Sequence, residues 1–167
     1  MSTTAPQDGR DIRAGYANMK LVTQRKAFSR IKYLDTEYYD AIILRIRGDG
    51  RTYHFNIHTR EFFDLHWMDL YSYPLYTRGG PYWQDVIIPF SKFYLNHRGF
   101  IQDHQRTFDR ELVTNVSITL MDQISGPFHL EIESIGMKKL EGPDRLREKL
   151  AYETYKLPNT LYVGSHL

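Results

Sequence analysis

None of the 167 residues is cysteine. Disulfide frameworks, thiolate zinc sites, Fe–S ligation and cysteine nucleophiles are therefore excluded. No apolar run approaches the ~20 residues that a membrane-spanning helix needs. Charge of one sign is scarce: 22 Lys and Arg stand against 20 Asp and Glu, a formal +2. Such a balance leaves no basic footprint for nucleic acid. Repeats and low-complexity blocks are missing. Met1–Asp11 lacks both the apolar stretch of a secretory signal and the Arg-rich, acid-poor pattern of a transit peptide, so no targeting peptide is read in this sequence.

Aromatic residues are abundant, with 13 Tyr, 9 Phe and 2 Trp. Flat rings cover a pleated sheet well, and they also anchor partner surfaces. The middle of the chain alternates with the period of a strand. In Ala41–Arg47, Ile42, Leu44 and Ile46 oppose Arg45 and Arg47. In Thr52–His58, Tyr53, Phe55 and Ile57 oppose His54, Asn56 and His58. In Asn115–Met121, Val116, Ile118 and Leu120 oppose Ser117 and Thr119. In Phe128–Ile135, Phe128, Leu130 and Ile132 oppose His129, Glu131 and Glu133. Each reads as a half-buried strand. Further strands are expected at Tyr16–Thr23, Lys26–Tyr33, Met68–Thr77 and Trp83–Ile88.

Gly48-Asp49-Gly50 predicts a hairpin turn, since Asp-Gly supplies positive φ. Gly79-Gly80-Pro81 predicts a second constrained turn, with Gly79 or Gly80 at positive φ. Pro89–Leu95 predicts a short helical turn. Pro143–Tyr152, with Leu146 and Leu150 four apart among charges, predicts a short amphipathic helix. Many short strands between turns indicate an all-β, antiparallel sandwich or barrel. Its core is expected on Ile42, Leu44, Ile46, Phe55, Ile57, Val116, Ile118, Leu120, Leu130 and Ile132. The domain plan is a lead segment over 1–14, a sandwich over 15–142 and a helical, aromatic tail over 143–167.

Few motifs carry chemistry. His54 and His58 sit four apart, but on a strand that is ~13 Å, too far for one zinc with Zn–N bonds of about 2.1 Å. They read as solvated strand-face histidines. Arg47-Gly48-Asp49 spells an adhesion tripeptide, yet the turn itself demands Gly and Asp there. Glu131 and Glu133 lie roughly 6.6 Å apart on one strand face and read as solvated surface, not a catalytic dyad. No Gly-x-Ser-x-Gly elbow or phosphate-cradling glycine loop occurs. No catalytic, cofactor or metal residue is assigned. The aromatic stretch from Phe62 through Tyr76 exceeds what one strand face can bury, so part is core and part is a candidate partner surface. Arg78, beside the paired glycines, either meets a carboxylate or braces its loop.

An ordered series of motifs points further. Arg45-Ile-Arg-Gly-Asp-Gly-Arg51 is followed by Tyr76-Thr-Arg-Gly-Gly-Pro-Tyr-Trp-Gln84, then Ile88-Pro-Phe-Ser-Lys-Phe93, Gly99, Asp103 and Gly126-Pro-Phe-His-Leu-Glu-Ile132. From Gly15 to Tyr155 the chain resembles the complex I intermediate-associated protein family, assembly factors of mitochondrial NADH:ubiquinone oxidoreductase. Leu150-Ala-Tyr-Glu153 strengthens the resemblance. It implies a galactose-binding-like jelly-roll of the carbohydrate-binding-module type, and an assembly chaperone rather than an enzyme. The implied partners are complex I subunits and other assembly factors, including an acyl-CoA dehydrogenase-like factor and an adaptor protein. The implied location is the matrix side of the inner membrane, peripheral to it. Candidate contact or loop residues are Trp67, Tyr71, Tyr73, Arg78, Gly79, Gly80, Trp83, Tyr155 and Tyr162. Two readings compete: a carbohydrate-binding module, and a nucleotide-binding reductase. The second ranks last because no Gly-x-Gly-x-x-Gly follows a strand.

Overall fold

The computed structural model describes residues 1–4, 15–60, 69–97 and 99–154. The alternating segments form the two layers. Strands β1 (Ser2–Thr3), β2 (Ala17–Lys20), β3 (Ala41–Gly48), β4 (Thr52–Thr59), β5 (Asp69–Tyr76), β6 (Gln84–Pro89), β7 (Tyr94–His97), β8 (Phe100–Ile101), β9 (Val113–Leu120), β10 (Gly126–Pro127) and β11 (Leu130–Lys138) precede one helix, α1 (Gly142–Thr154). One sheet has the order β11-β3-β6 and the other β2-β9-β4-β5-β7-β8, while β1 pairs with β10. Among the described residues every strand pair is antiparallel. The fold is a jelly-roll β-sandwich.

The period-2 pattern fixes which side of each strand is dry. Ile42, Leu44, Ile46 and Ile88 from the three-stranded sheet meet Tyr53, Phe55, Ile57, Tyr71, Leu75, Ile118 and Leu120 from the six-stranded one. Phe90, Phe93 and Phe108 close one end with edge-on ring contacts at 5.2–6.0 Å. Such pairs add about 0.5–1.5 kcal/mol each beyond area burial.

Three expected core residues are only half-buried: Val116, Leu130 and Ile132. Leu130 and Ile132 lie on β11, an edge strand, and Val116 lies where the sandwich opens between β2 and β11. A bulge between Ile132 and Ser134 also resets the alternation. Ile132, Ile135 and Met137 stand opposite Ile46, Leu44 and Ile42, so the inward set switches from even to odd numbers.

Two further expectations change. Lys26–Tyr33 is no strand: Ala27–Ser29 is a 3₁₀ turn with Phe28 and Ser29 at positive φ. Phe28 is almost wholly exposed, because no neighbouring strand covers it. The helical turn near Pro89 holds, as a 3₁₀ turn over Phe90–Lys92.

The helix forms where expected but docks through the opposite face. Leu146 and Leu150 are 60% and 62% exposed, while Glu148 is 4% exposed. The Glu148 carboxylate accepts hydrogen bonds from the Ser91 N–H (2.7 Å) and the Ser91 hydroxyl. The Tyr152 hydroxyl donates to the Phe108 carbonyl. Arg110 lies over the Tyr152 ring at 4.0 Å. Specific polar partners thus outweigh the leucine stripe.

Candidate functional site

The two glycine turns pack into one unit. A Cβ at Gly48 would lie 2.4 Å from Thr77 Cβ, so only glycine lets the turns touch. The Thr77 hydroxyl donates to the Arg51 carbonyl (2.8 Å) and accepts from the Gly50 N–H (3.0 Å). The Asp49 carboxylate accepts from the Arg51 N–H (3.0 Å), the Tyr53 hydroxyl (3.2 Å) and the His129 N–H (2.7 Å). Arg47 is held by Glu131 and stacks on Trp83 at 5.0 Å. The Arg47-Gly48-Asp49 tripeptide is therefore occupied internally. Behind it, Arg51 donates two bonds to Asp122 in a largely buried pair. This guanidinium holds the Asp122 carboxyl below the usual carboxylate range.

The second turn rests on Gln84. Its Oε1 accepts from the Arg78 N–H (2.7 Å), and its Nε2 donates to the Tyr76 carbonyl (2.9 Å). The brace is therefore Gln84 and the Arg78 backbone, while the Arg78 residue is exposed. Gly80 takes φ +102°, and Gly79 does not take positive φ. On this fixed backbone stand Tyr76, Tyr82 and Trp83, with Tyr82 77% exposed. Exposed Trp, Tyr and Arg on a rigid loop match the composition of interface hot spots.

The remaining candidates separate. Tyr71 is a correction: its ring is buried in the core, edge-on to Phe108 at 5.5 Å. Tyr73, on the same strand face, is half-buried against the core and packs on Phe93 at 6.0 Å. Both point inward because the odd positions of β5 share the side of Leu75. Trp67, Tyr155 and Tyr162 lie outside the described residues.

A second region was missed by the sequence reading. The outer face of the six-stranded sheet holds a cleft of about 690 Å³. Its floor is a belt of side-chain hydrogen bonds that crosses the strands in sheet order. Thr119 on β9 donates to Asn18 on β2 (3.0 Å). Asn56 on β4 donates to Thr119 (3.0 Å) and accepts from Ser72 on β5 (2.6 Å). Asn96 on β7 donates to Ser72 (2.6 Å), and its carbonyl oxygen accepts from the Gly99 N–H (3.2 Å). Asn56, Ser72, Asn96 and Ser117 are all buried.

His54 and His58 share this face and are half-buried, which corrects their reading as solvated histidines. His54 Nδ1 lies 3.3 Å from the Tyr94 hydroxyl, and His58 Nε2 lies 2.9 Å from the Ser117 hydroxyl. Burial lowers the pKa of His54. Burial, with the charge of Lys20, pushes His58 down to about 4. Both rings are neutral at pH 7. The described residues lining the cleft are mostly polar and uncharged, while Lys20 stands beside it near His58.

With this geometry in hand, likeness to known proteins becomes decisive. Residues 4–132 match the family model for complex I intermediate-associated protein 30. The chain belongs to that family. It is 44% identical to the mitochondrial complex I intermediate-associated protein 30 of Drosophila melanogaster, over 91% of this chain and 51% of that protein. It is 40% identical to the Mus musculus protein of the same name, over 82% and 42%. The chain thus spans about half the length of the curated relatives it matches. Among solved structures it resembles the family 11 carbohydrate-binding module of a Clostridium thermocellum cellulosomal cellulase. That likeness has a TM-score of 0.53 at 17% identity, covering 83% of this chain and 72% of the module. The fold is therefore that of this galactose-binding-like class.

Proposed function

We propose that this chain is the β-sandwich part of a complex I assembly factor. It acts by protein–protein contact on early membrane-arm intermediates and catalyses nothing. Its place is the matrix side of the mitochondrial inner membrane, peripheral to the bilayer. There it works with complex I subunits and other assembly factors, an acyl-CoA dehydrogenase-like factor and an adaptor protein among them. One observation supports this most: the family match spans both glycine turns, where a locked backbone presents Tyr76, Tyr82, Trp83 and Arg78 outward.

The test is co-migration with complex I intermediates on native gels, with affinity capture from mitochondria as a second readout. Replacing Tyr82 and Trp83 together by Ala should abolish co-migration at an unchanged melting temperature. Co-migration that survives this change places the interface elsewhere. Deleting Tyr155–Leu167 asks whether that segment contributes. An intact chain that never co-migrates overturns the assembly reading itself.

A further inference from the structure

The cleft on the six-stranded sheet has no part in the reading above. We propose that it is a binding site for a neutral saccharide chain.

Charge comes first. The described residues lining the cleft include Asn18, His54, Asn56, Ser72, Asn96 and Thr119, and none of the described lining residues carries a full charge at pH 7. This is notable in a chain whose composition is 25% charged. Among the described residues, no cation lines the cleft to hold a phosphate or carboxylate, and no carboxylate lines it to hold a metal or an amine. A charged ligand would lose its hydration there and gain no counter-charge. An apolar ligand would strand the polar floor without water. What fits is a neutral molecule rich in groups that both donate and accept.

Preorganisation comes second. The belt from Asn18 to Gly99 holds its amides and hydroxyls in one arrangement before any ligand arrives. Ordering costs on binding are then small. Capacity remains at the rim: the Asn18 amide N–H groups and His54 Nε2 have no partner among the described residues.

Shape comes third. Tyr16 and Tyr94 supply flat rings beside that rim, and Tyr16 is mostly exposed. A sugar ring has an apolar C–H face that stacks on such a ring and an equatorial fringe of hydroxyls for amides and imidazole. The volume lies within the usual range of ligand clefts, about 300–1,000 Å³. A polypeptide fits less well. Peptides that join sheets add along an edge strand, whereas this belt starts on edge strand β2 and then crosses β9, β4, β5 and β7, where the backbone is already paired.

The test is an NMR titration of the isotopically labelled full chain with cellotetraose, maltotetraose and raffinose, each to about 10 mM. An uncharged Ser/Asn/Gly peptide serves as the competing class. At least one saccharide should give saturable shifts at His54, Asn56, Ser72, Asn96 and Thr119. Tyr16→Ala and Asn18→Ala, both exposed and expected to fold normally, should each weaken that binding about tenfold. Trp83→Ala should leave it unchanged. Failure of all three saccharides to saturate, saturation by the peptide alone, or binding indifferent to both cleft variants overturns the proposal. Native-gel co-migration is not read by this titration, so the two proposals fail separately.

Discussion

The two outer faces of the sandwich look alike in sequence and differ in physics. On the three-stranded sheet, Arg45 pairs with Asp85 and Glu133, and Arg47 with Glu131. The Arg45 pairs are exposed, facing water and screened by salt, and the Arg47–Glu131 pair is half-buried beside Trp83. On the six-stranded sheet the same alternation yields Asn56, Ser72, Asn96 and Ser117, buried and uncharged. A charged outer face costs little to alter because water replaces each lost partner. A buried amide belt has no such substitute. The lesson is that polar alternation identifies the side away from the core, not the side open to solvent.

Strand β4 allows the sharpest version of this contrast, since adjacent residues serve opposite faces. Phe55→Ala should cost about 3–5 kcal/mol by opening the core, measured by denaturant unfolding. Asn56→Ala should cost about 1–3 kcal/mol, because Ser72 loses its acceptor while buried. Equal stability of wild type and Asn56→Ala would show that water reaches the belt, and would erase the distinction between the faces. Gly80→Val should cost about 1–2 kcal/mol for its positive φ, with Gly79→Val milder; a pair of identical melting temperatures would leave the turn unconstrained.

Between pH 6.5 and 4, acid should act through His58. His58 binds a proton at about 4 when folded and at its ordinary 6.5 when unfolded. Between those values the unfolded chain holds more protons, so stability falls as pH drops from 6.5 towards 4 and is unaffected by this group above 6.5. His58→Gln should flatten that limb in melting curves taken across the window. The smallest effect belongs to the charged face: Arg45→Ala should give no resolved change in melting temperature at high salt. A large loss there would mean the ion pairs act as a network.

Much of the sandwich was legible because burial of one strand side leaves a period-2 trace. Ile42, Leu44, Ile46, Phe55, Ile57, Ile118 and Leu120 carried that trace and are core. The bulge in β11 broke it, although the odd-numbered Ile135 and Met137 were a visible sign. The helix misled for a different reason. Leu146 and Leu150 satisfied the helical period, but the docking energy lies in Glu148 and Tyr152, whose partners Ser91 and Phe108 are distant in sequence. The cleft was illegible for the same reason. Asn, Ser, Thr and His on strands read as solvated until the sheet order aligns them into one belt. Only the glycine turns announced both their geometry and their candidate role, because backbone constraints are local.

One consequence of the strand order concerns how the chain closes. Strand β3 is the centre of its sheet, yet its partner β11 is the last of the described strands in chain order. Until Lys138 has been delivered, one flank of β3 stays open and part of the face bearing Ile42, Leu44 and Ile46 has no cover. Long-range pairings of this kind slow folding, and unpaired edges invite aggregation during the wait. A chain cut short before β11 therefore has no native sandwich to fall back on. The three-stranded sheet closes only once its most distant strand arrives.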